Sequence, residues 1–302
     1  MLWFRNLQIY RLAPDHALTP ESISSSLEKR PFVPCGSSDM MSQGWIPPAA
    51  HEPEHYAYPW QNAVLVMLKT EDKLLPGAVI KQVTESRVSE IEARENRKVG
   101  KREIKELRER IVDELLPRAF TRARTQRAII DLQQGLVLVE SASASKAEQL
   151  LSLLRESLGS LPTRLLQTQT TPQTAMTLWL ESADAGVFDL GQDVELKYPG
   201  DDGAIARLVR QPLAGDEISQ HLTAGKLVTK MALSWQDRVA FQLTEKMELK
   251  RVAMMDTLQD EMKDADAADR EALFNTGLTL LLGELRNLVP QLIEALGDEM
   301  PA

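Results

Sequence analysis

Hydrophobic and polar residues alternate along parts of the chain in the way that β-strands require. Side chains from Leu2 to Leu12 fall alternately on the two faces of an extended segment. Val64 to Leu68 is an unbroken apolar run typical of a buried strand. These patterns predict strands at 2–12 and 62–69, and a hairpin of 127–132 with 136–141 that turns at Gly135. The same signal predicts strands at 193–198, 204–210, 226–235 and 238–243, the last continuing to 252.

Other segments repeat apolar residues at intervals of three to five, which is typical of helices. From Gly77 to Leu116 this spacing runs through dense charge and predicts two long helices, broken near Gly100 and stopped at Pro117. Further helices are predicted at 20–30, 146–158, 176–182, 216–224 and 271–297. Pro290 is expected to kink or split the last of them, because proline removes a backbone donor.

Strands in hairpins with helices between groups of them indicate an α+β fold with mainly antiparallel sheets and a long helical arm. Residues 1–75 and 117–165 are predicted to form a first, discontinuous α/β region, into which the arm of residues 76–116 is inserted. Residues 166–302 are predicted to form a second α+β region that ends in an acidic helical segment. Polar threonine and glutamine residues from Thr163 to Gln173 mark the predicted boundary. The proline-rich segment 31–59 is predicted to be mostly loop, with an extended piece at 45–46.

Length and composition allow large cores and favour a reducing compartment. The 302 residues are 43% hydrophobic, enough for one large or two ordinary domains. Cys35 is the only cysteine, which excludes an intramolecular disulfide. Arg5 and Arg11 interrupt the apolar N-terminus, unlike a signal peptide, and no apolar run approaches the roughly 20 residues of a membrane span. We therefore expect a cytoplasmic protein without a membrane partner.

Charge is distributed unevenly, and this asymmetry gives the first indication of a partner. The net charge is minus nine, and residues 252–302, with three cations and eleven anions, carry minus eight of it. Between Arg94 and Arg127, however, twelve cations face six anions and leave a local charge of plus six. Because solution salt screens charges over roughly 10 Å, such a patch acts independently of distant acids. A cationic patch in an acidic protein indicates a polyanion partner, and nucleic acid is the first to consider.

Two sets of side chains are candidates for contacting that polyanion. The larger set lies in the cationic segment, and the smaller set, more scattered, lies on strands and a loop in the C-terminal half. The candidates are Arg94, Arg97, Lys98, Lys101, Arg102, Arg118, Arg122, Arg124, Arg127, Arg207, Arg210, Gln211, Lys226 and Lys230. Phosphate contact by such cations is indifferent to sequence and sensitive to salt. Since only 5% of residues are aromatic, duplex DNA is favoured over base stacking on single strands.

The cationic segment can also be interpreted as a solvated charged surface that binds no ligand. Glutamates in the second arm helix could neutralise their neighbours, as in the pairs Glu103–Arg108, Glu106–Arg110 and Glu109–Arg108, and leave a merely solvated surface. A second alternative is a charged protein-interaction module that never touches DNA. Phe120, apolar within the cationic segment, is either a core residue or an aromatic anchor in a partner contact.

Catalytic motifs give little support to an enzyme. His51 to His55 spells the H-E-x-x-H pattern of zinc proteases, which needs a regular helix, but Pro53 lies between the histidines and predicts a surface loop. Cys35 has no base placed beside it by the sequence, and neither a phosphate-binding P-loop nor a dinucleotide fingerprint is present. We therefore predict no enzymatic activity, no cofactor and no metal, with a metallohydrolase at the two histidines as the remaining alternative.

Several stretches together resemble one bacterial family. They are MLWFRNL at 1–7, GWIPP at 44–48, LLPRAF at 115–120, LLRESLGSLP at 153–162, GKLVTKMAL at 225–233 with Trp235 and Arg238, and QLIEALG at 291–297. In this order, and over nearly the full length, they resemble the recombination-associated RdgC family.

The resemblance implies a nucleoid-associated protein that binds DNA without sequence preference or catalysis. It further implies a ring-shaped homodimer around duplex DNA that restrains the RecA recombinase. Carried onto this chain, it implies that Phe120 makes a dimer contact at the arm tip. It implies that the ring is lined by Arg97, Lys98, Arg118, Arg210 and Gln211, with Lys226 and Lys230 placed by the shared GK-VTK pattern.

Overall fold

The structure is a computed structural model that describes residues 2–200, 203–213, 215–264 and 269–300; at 216 and 261–264 only the backbone is described. The described strands are β1 (Leu7–Leu12), β2 (Met41–Ile46), β3 (Ala57–Trp60), β4 (Ala63–Leu74), β5 (Phe120–Asp131), β6 (Leu136–Glu140), β7 (Thr163–Leu165), β8 (Phe188–Lys197), β9 (Ile205–Leu208), β10 (Leu227–Trp235), β11 (Val239–Thr244) and β12 (Leu249–Met254). The described helices are α1 (Pro20–Leu27), α2 (Gly77–Glu95), α3 (Lys101–Leu115), α4 (Ala144–Leu158), α5 (Pro172–Ser182), α6 (Asp216–Thr223), α7 (Asp256–Asp264) and α8 (Arg270–Ala295).

The described strands join into one antiparallel sheet. Its order is β2-β4-β5-β6-β1-β12-β11-β10-β8-β9, with β3 also on β4 and β7 also on β1. The N-terminal and C-terminal strands meet where Leu7 of β1 pairs with Leu249 of β12. The α+β class with antiparallel pairing is therefore confirmed. The sheet crosses the predicted boundary near residue 165, and the division into three regions stays a prediction.

Two layers of helices cover the sheet unequally. On one side, which we call the α8 face, α8 and α5 pack over a core that includes Leu65, Ile129, Met231 and Leu243. On the other side, which we call the open face, α1 and α4 cover only the N-terminal strands, over Trp45, Val66 and Ile130. Beyond these helices, the C-terminal strands carry polar side chains on the open face.

The long helix α8 ties the two halves of the sheet together. Arg286 donates to the buried carboxylate of Asp131 on β5, at 2.8 Å from Nε to Oδ2. Arg238, which precedes β11, binds Glu284 at 2.6 Å from Nη2 to Oε1. Side chains of α8 thus bond to strands from both ends of the chain.

Several predicted elements differ in detail from the structure. Strand β1 begins at Leu7 rather than Leu2, β4 continues to Leu74, and β5 begins at Phe120 rather than Arg127. Strands β2 and β3 both form within the predicted proline-rich loop. The region 238–252 is two strands joined by a turn, not one. Helix α7 and the short β7 were not predicted. Pro290 does not end α8, which continues to Ala295.

The predicted helical arm is a hairpin at the end of two long strands. Strand β4 pairs with β5 over their full length, from Ala63 with Asp131 to Leu74 with Phe120. Helices α2 and α3 connect the far ends of these strands and pack on each other, with Ile80, Thr84 and Ile111 buried between them. The break near Gly100 and the stop at Pro117 are as predicted.

Candidate nucleic-acid interface

Residues 96–100, which we call the elbow, connect the end of α2 to the start of α3. Asn96 adopts a left-handed conformation that ends α2, and Gly100 precedes the first turn of α3. Val99 is buried at the elbow, and its amide donates to Glu92 Oε1 at 3.0 Å. The elbow therefore has a defined shape, and its charged residues are held at its outer surface.

Carboxylates engage many of the predicted arm cations. Arg97 lies between Glu95 and Glu103, 2.7 Å from an oxygen of each. Hydrogen bonds from Arg94 and Arg97 lower the pKa of Glu95, the bond from Arg97 lowers that of Glu103, and the bond to Glu103 raises the pKa of Arg97.

The predicted neutralising pairs of α3 are replaced by others. Instead of partners for Arg108 and Arg110, the helix forms Arg102–Glu106 at 3.1 Å and Lys105–Glu109 at 4.0 Å. These pairs are spaced four residues apart and lie on the exposed surface, where each contributes a few tenths of a kcal/mol. The particular residue pairs expected from the sequence were wrong, but glutamates of α3 do form ion pairs with cations of the same helix.

A second group of candidates lacks such partners. Lys98, Lys101, Arg118, Arg122 and Arg210 are all exposed and form no ion pair with any residue that the structure describes. Arg118 ends a short 3-10 turn, Leu116–Arg118, between α3 and β5, and Arg122 follows on β5. Both lie near the far end of the β4–β5 pair. In the sequence, both are more than a hundred residues from the acidic C-terminal segment.

Arg124 and Arg127 make structural contacts. Arg124 forms an ion pair with Asp72 across the β4–β5 pair. Arg127 is half-buried, donates from Nε to Glu140 Oε2 at 2.7 Å, and its guanidinium lies 5.4 Å from the centre of the Phe4 ring. These bonds commit both arginines to the sheet itself.

The C-terminal candidates converge on the open face. Arg207 of β9 and Lys230 of β10 both contact Glu195 of β8, at 2.6 Å and 3.5 Å. Burial by itself raises the pKa of Glu195, but the hydrogen bond from Arg207 and the charge of Lys230 outweigh it and leave that pKa below its ordinary value. Glu195, Arg207 and Lys230 line one surface cleft, and Arg251, which the sequence did not indicate, lines it as well.

The remaining candidates lie around α6 and β9. Lys226 Nζ lies 3.1 Å from Nδ1 of His221, so the imidazole accepts from the ammonium. Gln211 donates from Nε2 to Glu217 at 2.9 Å. Arg210 has a left-handed backbone, with φ of 56°.

Phe120 lies at the arm end and is exposed. It pairs with Leu74 across β4 and β5, and the two residues are an even number of positions from Val66 and Ile130, whose side chains lie on the open face. Both side chains therefore lie on the open face, and both are exposed. Arg122 lies on the same face because it is two residues further along β5. An exposed aromatic beside a cation is typical of an interface anchor.

The two histidines of the protease-like pattern do not share a helix. Residues 50–54 form turns, and His51 packs its ring edge-on against Tyr58 and Phe274. The loop prediction is thus confirmed. Within the described parts of the chain, no three His, Cys, Asp or Glu side chains form a group able to hold a metal ion. Over the same residues, no helix combines the length and apolarity needed to cross a bilayer.

Comparison with known proteins places the chain among proteins associated with recombination. A family model described as "Putative exonuclease, RdgC" matches residues 2–299. The chain is 46% identical over 301 residues to the recombination-associated protein RdgC of Laribacter hongkongensis, covering all of both chains. It is 39% identical over 300 residues to the proteins of that name in Salmonella paratyphi B and Salmonella typhimurium, covering 99% of each chain. The chain therefore belongs to the RdgC family.

Proposed function

We propose that this chain is a sequence-independent DNA-binding protein that acts mainly on double-stranded DNA. As a homodimer closed into a ring, it encircles DNA and limits the access of RecA, and so modulates recombination and replication-fork repair. It works in the cytoplasm at the nucleoid, without a cofactor and without catalysis.

The observation that carries this proposal is the pair Arg118 and Arg122. Both guanidinium groups are exposed and lack a carboxylate partner among the described residues, at the end of the strands that support the arm. An unpaired arginine contacts a phosphate without first breaking an ion pair, and its planar fork matches two phosphate oxygens. Phe120 lies between them and offers an apolar contact for closing a ring.

Salt titration of binding to random-sequence duplex DNA tests the proposal. The logarithm of the binding constant should fall linearly with the logarithm of salt concentration, by about 0.9 per neutralised phosphate. Arg118→Ala and Arg122→Ala should each reduce that slope by about 0.9 per protomer. Arg30→Ala is the control, because Arg30 is already engaged by Glu156. Equal slopes for all three variants would contradict the assignment, and shortening of the DNA with Mg²⁺ present would contradict the absence of catalysis.

One observation favours the alternative of a charged protein-interaction module. Carboxylates engage Arg94, Arg97, Arg102 and Lys105, so the helical part of the arm is a mixed surface rather than a purely cationic one. On this alternative, the native protein would show no salt-dependent binding to duplex DNA in the same titration.

A further inference from the structure

The open face of the C-terminal strands contains a polar cleft that neither helix layer covers. Its volume is about 270 Å³, and its polar lining is Asp193, Glu195, Arg207, Lys230, Gln242 and Arg251. Three cations face two carboxylates, so the cleft is cationic by one charge. Three irregularities of the backbone build it.

The first irregularity is a β-bulge that aims Arg251. Ala240 of β11 pairs with Ala253 of β12, but Gln242 pairs with Lys250, so β12 carries one extra residue between these pairs. In a regular strand, Arg251 would follow Leu249 onto the α8 face, which is apolar. The bulge gives Arg251 a left-handed φ of 52° and brings its side chain, 75% exposed, to the cleft.

The second irregularity places Asp193. Met231 pairs with Val194 and Leu233 with Leu190, so β8 carries two more residues than β10 between these pairs. Gly191 lies in this insertion and tolerates a close approach to β10, since a Cβ there would lie 2.8 Å from the Cβ of Ala232. The insertion ends at Asp193, beside the cleft.

The third irregularity is the left-handed backbone of Arg210, which Asp193 holds. Asp193 Oδ1 accepts from the Arg210 amide at 3.0 Å, and Oδ2 accepts from Gln242 Nε2 at 3.5 Å. Arg251 Nη1 lies 4.0 Å from Oδ2 of the same carboxylate, beyond hydrogen-bond distance. One carboxylate therefore bonds to the backbone of one left-handed arginine and neighbours the side chain of another.

Left-handed backbone costs free energy in a residue other than glycine, and such residues cluster where function requires them. Here two arginines adopt it beside one cleft. The donors of Arg251 stay available, because its side chain is 75% exposed and lies 4.0 Å from Asp193 Oδ2, too far for a hydrogen bond. A guanidinium with free donors, beside the exposed Arg207 and near Lys230, suits the oxygens of a phosphodiester.

We propose that this cleft is a separate phosphate-binding site for the DNA backbone, in which Arg251 contacts phosphate together with the guanidinium nitrogens of Arg207 other than the Nε bonded to Glu195, and Asp193 is a positioning residue for Arg210 and Arg251. The inference rests on the proposed function and adds to it a site away from the arm. It assigns roles to Arg251 and Asp193, which a charge pattern alone does not single out.

Arg251→Gly tests the contact without damaging the fold. Glycine accepts φ of 52° without strain, so the thermal midpoint of unfolding should be unchanged or higher. In the salt titration on random duplex DNA, the magnitude of the log–log slope should fall by about 0.9 per protomer. For each lost contact, the ratio of native to variant affinity should therefore be about eightfold larger at 0.1 M salt than at 1 M salt. Arg270→Ala, on α8 at the other side of the sheet, removes the same charge and should leave the slope unchanged.

Asp193→Ala separates positioning from simple electrostatics. Removing an acid from a DNA-binding surface should strengthen binding if only charge matters. If Asp193 positions the two arginines, its loss should instead weaken binding several-fold, and Asp193→Asn, which keeps the acceptor for the Arg210 amide, should bind more tightly than Asp193→Ala. Tighter binding by Asp193→Ala would overturn the positioning role.

The two proposals fail in different ways. A native protein that binds duplex DNA, together with an Arg251→Gly slope equal to the native one, overturns this site and leaves the arm proposal standing. A native protein without salt-dependent DNA binding overturns both.

Discussion

At the scale of single residues, exposure separates Phe120 from the other apolar side chains. It is 82% exposed, more than any other large apolar residue that the structure describes, and it lies at the end of the arm strands. Its position therefore contributes little to the stability of one chain. A large aromatic in such a position is explained by a contact with another molecule, for which the proposed homodimer supplies a second arm.

Phe120→Ala should consequently weaken DNA binding without weakening the fold. The variant keeps every charge, so the salt slope should stay native, while the affinity falls because the ring opens more readily. Chemical denaturation should give an unchanged free energy of unfolding for the monomer. Leu165→Ala, another exposed apolar residue but away from the arm, is the control. Native affinity in Phe120→Ala would remove the dimer contact from the proposal.

The arginines illustrate what the sequence could and could not predict at this scale. Arg118, Arg122 and Arg127 are equivalent in a charge count, yet only Arg127 is engaged, by Glu140 and by Phe4. Those partners come from β6 and the N-terminal segment, and their approach depends on long-range strand pairing. Local sequence gives the cationic segment, whereas the choice of free arginines within it requires the fold.

At the scale of elements, burial outweighs local propensity in α8. Proline within a helix costs about 3 kcal/mol, which led to the expectation of a break at Pro290. The helix buries Leu285, Leu288, Val289 and Leu292 around that position, and each such side chain contributes about 1.5–3 kcal/mol. Packing against both halves of the sheet therefore keeps the helix continuous, a result that the proline alone could not predict.

The β12 bulge is a feature that the local sequence could not predict. The sequence predicted that the strand at 238–243 continues to 252, whereas residues 249–254 form a separate strand, β12. The extra residue in β12 is defined by its pairing with β11, in which Ala253 opposes Ala240 but Lys250 opposes Gln242, and this pairing between strands is not a local property of the sequence. Arg251 was missed for this reason, while α3, α4 and β6, whose patterns are local, were predicted close to their observed bounds.

Breaking the ion pair between α8 and β5 should be among the most destabilising single substitutions, because it leaves a buried charge without its partner. Asp131 is 1% exposed, and its carboxylate accepts from Nε and Nη2 of Arg286 at 2.8 Å and 2.9 Å. Arg286→Ala leaves that charge buried with only the amides of 133 and 134, which should lower the free energy of unfolding by about 3–5 kcal/mol.

Urea denaturation measures this loss, and Arg30→Ala is the matched control. The Arg30–Glu156 pair is exposed, so its removal should change the free energy of unfolding by about 0–1 kcal/mol. A similar small change in both variants would mean that α8 is held by its leucines alone, and that the ion pair is not the tie between the halves.

At the scale of the whole molecule, the acidic C-terminal segment and several candidate DNA-binding arginines lie on opposite faces of the sheet. The acidic excess of residues 252–302 belongs to the segment whose long helix covers the α8 face. Arg122 and Arg207, by contrast, lie on the open face of the same sheet. A protein of net charge minus nine is repelled by DNA at long range, so binding favours the face where cations are collected. This arrangement supports a ring whose open faces line the cavity.

Encirclement makes a kinetic prediction that contact energies alone do not. A protein that merely touches phosphates dissociates at one rate from linear and from closed circular DNA, because the contacts are identical. A closed ring leaves linear DNA by sliding off an end, but leaves a circle only when an interface opens. We expect a dimer by analytical ultracentrifugation, and slower release from closed circles than from linear DNA of the same sequence and length, measured by competitor challenge. Blocking the ends with bulky adducts should slow release from linear DNA to the circular rate, whereas Phe120→Ala should speed release from circles. Equal release rates from both native substrates would rule out the ring and leave an open, side-on mode of binding.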